Sequence, residues 1–403
     1  MKAVVFHGIG DIRLDDVAEP DIEQHTDAIV RLTASAICGT DLHFVRGTFG
    51  GMKPGTIIGH EGVGEVEKLG AGVRNLNEGD RVVIPSTIAC GTCAYCRVGH
   101  YAQCDNANPN GKRAGTCFFG GPEATGPVNG LQAELARIPY ANVGLIKLPN
   151  DVTDDQALVL SDIFPTAWFG AKMAEIAPGN TVAVFGCGPV GQLVIASAKY
   201  LRAGRIIAVD SVESRLDTAR EQGAETINFE AEDPVEAILQ LTDGIGVDRA
   251  IDAVGVDSNR AHRGPASRKS SKAKTERDEI ASAARPNGEH WKPGDAPSQA
   301  LCWAVEALAK SGTLSIIGVY PPTDRFFPIG AAMNKNLTIN MGNCHHRKYI
   351  PELLDLVRSG AINTRGIITQ HQPLESALAA YQAFDLREPG WLKVELEPGR
   401  KAA

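Results

Sequence analysis

The stretch Ala34 to His43 reads ASAICGTDLH and places a thiol (Cys38), a hydroxyl (Thr40), a carboxylate (Asp41) and an imidazole (His43) within six positions. A thiolate can hold a metal, a carboxylate can orient a neighbouring ligand, and a hydroxyl and an imidazole can hand on a proton. A second pair, His60 and Glu61, follows in IIGHEGVGEV between apolar runs and spaced glycines. Alone, a His-Glu pair is usually a satisfied polar pair. With Cys38 it supplies a thiolate and an imidazole, two of the roughly three protein ligands of a catalytic zinc that keeps one position open.

A denser signal is CGTCAYCRVGHYAQC, where Cys90, Cys93, Cys96 and Cys104 follow C-x2-C-x2-C-x7-C. Four thiolates at this spacing can wrap one tetrahedral Zn2+, and a closed four-sulfur site is structural because no position is open to substrate. An iron–sulfur cluster also takes four cysteines, but the last gap of seven and the absence of a following proline favour zinc. The third signal is GCGPVG, Gly186 to Gly191, which fits G-x-G-x-x-G between the strand-like TVAVF and an apolar helix. Gly186 permits a tight turn, Gly188 lets a pyrophosphate approach the backbone, and Gly191 allows close helix–strand packing. The helix N-terminus offers N–H groups and a positive dipole end to phosphates. Asp210 lies 24 positions after Gly186, at the end of the next strand-like run. A carboxylate there accepts hydrogen bonds from ribose hydroxyls and repels a 2′-phosphate, so NAD is favoured over NADP, with Arg215 in reach of the same region.

Such sites need a scaffold. Residues 1 to about 155 hold short β-like runs (AVVF, DAIVRLTA, GVGEVEKLG, DRVVIP) between turn residues, which reads as an all-β unit with long functional loops. From about residue 156, buried-strand patterns (TVAVF, VDRAIDAVG, GTLSIIGVY) alternate with helices, the pattern of a parallel α/β sheet. The tail carries the helix-like YIPELLDLVRSG and the strand-like WLKVELEP, placed to rejoin the first unit. Residues 257–300 stand apart, with a local charge of +3 and only Ile280 and Trp291 as large apolar residues. This reads as a solvated surface insertion, with a lid over a bound ligand as the sharper alternative.

The formal net charge of −8 argues against nucleic acid as a partner, and no apolar run is long enough to span a bilayer. The N-terminus runs straight into strand-like alternation without a signal-peptide core, so a cytoplasmic protein is expected. Nine cysteines, an odd number, suit metal or thiol chemistry better than a disulfide framework. Cys117, Cys302 and Cys344 read as small buried hydrophobes, and His345 and His346 as surface histidines, with a place on the cofactor or subunit face as the alternative.

The order C-G-T-D-x-x-H, G-H-E, four-cysteine lobe and dinucleotide turn resembles the zinc-dependent medium-chain alcohol dehydrogenase family nearly end to end. Within it, LSDIFPTAW, the insertion after DAVG and MGNCHHRKYIPELLDLVRSG resemble the branch of glutathione-independent formaldehyde dehydrogenase and aldehyde dismutases. The resemblance implies a GroES-like β-barrel catalytic domain at 1–157 and 343–403, with a structural zinc lobe at about 88–106. It implies a Rossmann NAD-binding domain with a doubly wound parallel sheet at 158–342, and two zincs per chain.

Asp162 stands where typical members carry a cysteine, and the branch uses aspartate there, so the implied catalytic zinc ligands are Cys38, His60 and Asp162. An oxygen ligand in place of a thiolate donates less charge and leaves the metal more electrophilic. Glu61 is then an outer residue or an alternate ligand. Thr40 bridges alcohol and nicotinamide ribose, His43 passes the proton on, and Asp41 orients a ligand such as His60. Pro189, Val190 and Val254 complete the cofactor set. Gly39 replaces a basic residue that some members use on the pyrophosphate, a contact then expected of Lys393.

The implied reaction is hydride transfer between a primary alcohol or small aldehyde hydrate and NAD+. The alternatives are a formaldehyde dehydrogenase or dismutase that retains NAD(H), and a non-catalytic binding relative, whose mark would be loss of a zinc ligand or of the Thr40–His43 relay. The expected partners are a small-molecule substrate and further copies of the chain, as a dimer or tetramer.

Overall fold

The run Thr181–Phe185 is apolar without alternation because both faces of its strand are covered. Val182 and Val184 pack with Trp168, Leu193 and Ile195, while Ala183 and Phe185 pack with Ile207, Trp303 and Val305. In the computed structural model, which describes residues 1–269 and 273–399, this strand sits in the middle of a six-stranded sheet. The order is Glu225–Asn228, Arg205–Asp210, Thr181–Phe185, Val247–Asp252, Leu308–Ile316 and Thr338–Met341, and every pairing is parallel. Counted along the chain this is 3-2-1-4-5-6, the doubly wound order whose strand direction of travel reverses beside the first strand and opens a crevice there.

The remaining strands form a three-stranded sheet (Lys2–Gly8, Asp11–Asp16, Thr56–Ile57) and a seven-stranded one. The spine of the larger sheet is Ala28–Ile37. One of its edges pairs with Leu135–Ile138 and then Val394–Glu397, and the other with Gly62–Leu69. Ser35 lies opposite Gly62 in this antiparallel register, so Cys38, three residues beyond Ser35, and His60, two residues before Gly62, emerge at the same end. Arg81–Ile84 and Ile146–Lys147 continue the sheet, and Gln370–Pro373 closes its far edge. The C-terminal strand therefore does return to the first unit.

Two consecutive helices, Asp154–Ser161 and Ile163–Met173, join the two halves, and the expected boundary at 157/158 falls inside the first of them. Asp162 lies in the break between them with non-helical angles (φ −141°, ψ −65°). Ser161 anchors that break to the barrel-like half. Its hydroxyl donates to the Ile84 carbonyl at 2.5 Å and accepts from the Gly62 N–H at 3.0 Å.

The insertion is not the solvated segment its composition suggests. Trp291 is only 4% exposed and packs with Val4, Phe6, Ile12, Tyr381 and Phe384, which belong to the other half of the chain. Its backbone N–H donates to Asp385 at 2.8 Å, and the buried pair Glu276–Ser298 (2.6 Å) ties the insertion to itself. The insertion is thus a strap from the parallel-sheet half onto the first half, with Asp257 and Glu276 buried and Arg260, Arg263 and Lys292 exposed. Trp291→Ala should cost about 3–5 kcal/mol in denaturant unfolding. A change within about 0.5 kcal/mol would mean that the segment is surface after all.

Candidate active site

ICGTDLH runs from the end of the strand Ala28–Ile37 into a helix. Cys38 precedes the helix Gly39–Arg46, which ends at Gly47 in the left-handed region (φ 78°). Thr40 and His43, three residues apart, share one face of this helix and both line the main cavity. Asp41 is fully buried. Its Oδ2 accepts the Cys38 N–H at 2.9 Å and the Gln132 amide at 3.3 Å, and its Oδ1 lies 3.2 Å from His60 Nδ1. Asp41 thus closes the first turn of the helix as a capping carboxylate, and its Oδ1 faces the His60 ring, whose Nε2 faces Asp162.

Cys38, His60, Glu61 and Asp162 bring ligand atoms within 4.8 Å of one another, all buried. His60 Nε2 lies 3.4 Å and Cys38 Sγ 3.9 Å from Asp162 Oδ2. Tetrahedral zinc, with bonds of about 2.0–2.3 Å, spaces its ligand atoms by about 3.3–3.8 Å, so the donor set fits. Asp162 is prepared for this. Its other oxygen, Oδ1, accepts from His346 Nε2 at 2.6 Å and from the Thr166 hydroxyl at 3.1 Å, which leaves Oδ2 for the metal. Burial alone would raise the Asp162 carboxyl, but the hydrogen bonds from His346 and His60 outweigh it and hold the group well below the usual range.

His346 is therefore not a surface histidine. It is buried, and its Nδ1 lies 3.1 Å from the Thr87 hydroxyl. No local signal marks it, since it meets Asp162 from 184 positions away. His345 is half-buried against His100 and the Ala102 N–H, which joins it to the four-cysteine lobe. Lys393 also departs from expectation. It is buried, with Nζ 2.5 Å from Glu61 Oε1 and 3.0 Å from the Ile37 carbonyl, so it neutralises Glu61 and is not free for a phosphate.

The four sulfurs of Cys90, Cys93, Cys96 and Cys104 also converge within 4.8 Å, with Cys93 and Cys104 4.0 Å apart. Backbone N–H groups of Thr92 and Cys93 and the Asn106 amide point at Cys90 Sγ. Burial pushes the Cys90 thiol up, but these hydrogen bonds and that of the Thr92 hydroxyl bring it down to about 6, suited to a thiolate ligand. Of the other cysteines, Cys117 and Cys344 are buried as expected, while Cys302 is only half-buried.

The glycine turn opens on the same cavity. Gly186 has φ +90°, and a Cβ there would meet Val254 at 2.6 Å; a Cβ on Gly191 would lie 1.9 Å from the Gly186 carbonyl oxygen. Neither position admits a side chain, so the turn and helix Pro189–Tyr200 press together. A Cβ on Gly188 would meet only Arg215, at 3.9 Å, so its backbone is open to a ligand. Asp210 Oδ2 accepts the Cys187 N–H and Oδ1 the Ser211 and Val212 N–H groups. Arg387, which the sequence did not single out, lines the cavity beside Arg215. Burial and the guanidinium groups of Arg215 and Arg46 push it down to about 10. This cluster of cations suits an anionic ligand.

One cavity of about 700 Å³ joins these parts. Its lining includes Cys38, Thr40, His43, His60 and Asp162, and on the other side Gly186, Gly188, Pro189, Val190, Asp210, Arg215 and Val254. Glu61 and Gly191 stand behind the lining. Phe44, Phe49 and Phe118 form an apolar wall near His60, with ring centroids 5.8–6.2 Å apart. The arrangement sets a metal-binding donor set, a dinucleotide-type turn and a small apolar pocket face to face.

Fold and site together define a zinc-type oxidoreductase built from a GroES-like and a Rossmann-like part. Residues 24–150 match the alcohol dehydrogenase GroES-like domain family and residues 189–262 the zinc-binding dehydrogenase family. The chain is 36% identical over 402 residues to the zinc-type alcohol dehydrogenase-like protein AdhB of Bacillus subtilis, covering 99% of this chain and 100% of that protein. It is 33% identical to glutathione-independent formaldehyde dehydrogenase of Pseudomonas aeruginosa, covering 96% of each. The solved alcohol dehydrogenase TADH of Thermus sp. ATN1 superposes with a TM-score of 0.79 at 34% identity, covering 99% of this chain and all of that one. The chain belongs to the zinc-type medium-chain alcohol dehydrogenase family and is an alcohol dehydrogenase-like oxidoreductase.

Metal analysis checks the donor sets. Purified protein should carry about two zinc ions per chain, and Asp162→Ala about one, with the four-cysteine ion retained. Full zinc content in Asp162→Ala would overturn the assignment of Asp162 as a ligand.

Proposed function

We propose that this protein is a zinc- and NAD-dependent oxidoreductase that moves hydride between a primary alcohol, or a small aldehyde hydrate, and NAD+. The observation that carries this reading is the meeting of the Cys38–His60–Asp162 donors with the Gly186–Gly191 turn and Asp210 in one cavity. Zinc on that set supplies Lewis acidity that lowers the pKa of an alcohol hydroxyl, and NAD+ supplies the hydride acceptor. The chain's own residues bind, orient and move the proton. The aromatic wall takes the carbon part of the alcohol, and Arg215 and Arg387 face the pyrophosphate. Asp210 retains lone pairs for ribose hydroxyls and disfavours a 2′-phosphate, which supports NAD over NADP.

Thr40 receives the hydroxyl proton and His43 passes it on. His43 Nδ1 lies 2.7 Å from Asp257 Oδ2, where the carboxylate accepts its N–H and leaves Nε2 to take the proton. Asp257 also accepts from Arg46 at 2.8 Å and from the Gly294 N–H at 2.9 Å. Burial opposes its charge, but Arg46 and His43 outweigh burial and hold its carboxyl far below the usual range. Asp257 is therefore an ionised positioning residue for His43, and it stands at the head of the insertion.

A second reading, a formaldehyde dehydrogenase or aldehyde dismutase with retained NAD(H), has one observation in its favour. The strap begins in the cavity wall at Asp257, Ser258 and Asn259 and is pinned to the other half by Trp291. Cleft opening must strain those contacts. Exposed Ile329, Met333 and Met341 beside the open edge strand Thr338–Met341 support a homo-oligomer. The thiol-rich donor sets support a reducing, cytoplasmic setting. Among the described residues no helix is long and apolar enough to cross a membrane.

NADH formation from a panel of primary alcohols and formaldehyde tests the main reading, and no turnover with any of them by zinc-loaded enzyme would sink it. Nucleotide released on denaturation separates the two readings: near one per chain supports retention, and empty protein supports exchangeable NAD. For the relay, His43→Gln should lower kcat by about 100-fold. Asp257→Asn should lower kcat by about 10-fold in wild type and add nothing to His43→Gln. Additive losses would mean that Asp257 acts elsewhere.

A further inference from the structure

Outside the cavity, Asp155, His371 and Glu395 bring one ligand atom each within 4.8 Å of one another. The fold builds this cluster from three places. Gln370–Pro373 and Val394–Glu397 pair in parallel with His371 opposite Glu395, and Asp155 comes from the first turn of Asp154–Ser161. None of the three lines the catalytic cavity. His371 and Asp155 are exposed, which alone would mean little.

Glu395 is different. Its strand lies between Gln370–Pro373 and Ala28–Ile37, and the residue is 4% exposed. Its Oε2 is buried without a hydrogen-bond partner. An ionised oxygen in that position is costly unless a cation meets it. It faces His371 Nε2 at 3.7 Å, too far for a hydrogen bond, and the same nitrogen lies 3.2 Å from Asp155 Oδ2. The 3.2 Å contact is a hydrogen bond, which a cation between the atoms would replace while also meeting the unpartnered Glu395 oxygen. Bonds of about 2.0–2.2 Å to nitrogen and oxygen put neighbouring ligand atoms about 3.3–3.6 Å apart in a tetrahedral shell, so small side-chain shifts complete the set.

We propose that Asp155, His371 and Glu395 form a third, surface-accessible metal site for a divalent cation of the zinc class, separate from the two zinc sites of the family fold. One imidazole with two carboxylates selects Zn2+, Co2+ or Ni2+ over Mg2+ and Ca2+, which prefer all-oxygen shells. The open side leaves room for water to complete the coordination. Asp154 does not compete for the ion, since Arg81 and the Thr33 hydroxyl already hold it. The inference does not depend on the oxidoreductase reading.

The test is calorimetric titration of Zn2+ into the zinc-loaded full chain, with metal counted on the protein before and after. One further saturable Zn2+ per chain is expected, lost in both His371→Ala and Asp155→Asn while the original zinc content stays. Both replaced residues are exposed, so both variants should fold; Glu395→Gln, the buried position, serves as a third probe. Co2+ in this site should show weak ligand-field bands without the intense thiolate charge-transfer band expected of the cysteine sites. No third equivalent, or one that both exposed variants still bind, would overturn the proposal and leave His371 as an exposed histidine hydrogen-bonded to Asp155.

Discussion

Burying an ionised carboxylate is expensive unless donors surround it, and the break between the helices Asp154–Ser161 and Ile163–Met173 buries one. His346 and Thr166 satisfy one oxygen of Asp162, while the other turns toward Cys38 and His60. Much of the site follows from that arrangement. The two helices carry the chain from the barrel-like half to the parallel sheet, so Asp162 lies at the join of both. Its partner His346 begins the helix on which the chain returns. A donor set at this join faces the dinucleotide crevice, as two-substrate chemistry requires.

The same logic of paired buried charge recurs around it. Lys393 neutralises Glu61, Asp41 steadies His60, and Arg46 bridges Asp257 and Asp385. Each is a charge that the interior admits only with its partner in place. Three of these pairings join distant parts of the chain: Lys393, just before the C-terminal strand, reaches Glu61, and Arg46 reaches both Asp257 in the insertion and Asp385. The donor set is thus backed by buried charged pairs, which preorganises it.

The insertion changes meaning once its packing is seen. Its composition is that of a solvated segment, rich in charge and poor in large apolar residues. A few buried residues decide its role. Trp291 fills a core in the other half, and Asp257 fixes the His43 ring. Composition averages over a segment, whereas a strap needs only an anchor at each end.

What could be read from the sequence was local. The four-cysteine spacing, the Gly186–Gly191 turn between strand and helix, and Cys38, His60 and the carboxylate Asp162 that the family resemblance picks out are found together in the fold. Short-range patterns carry such information because a turn, a helix start and a chelate each depend on a few adjacent residues. The tertiary structure decided what depends on distant partners. It moved Lys393 from the phosphates to Glu61, brought His346 in from the surface to Asp162, added Arg387 to the anion side, and tied Asp257 to His43. Each of these rests on a contact between residues far apart in the chain, where no periodicity or spacing holds a trace of the pairing. The four-cysteine cluster and the glycine turn were legible in the sequence because each is built from a compact motif. Control of the chemistry was not, because the second layer of partners is assembled only when the two halves close on each other.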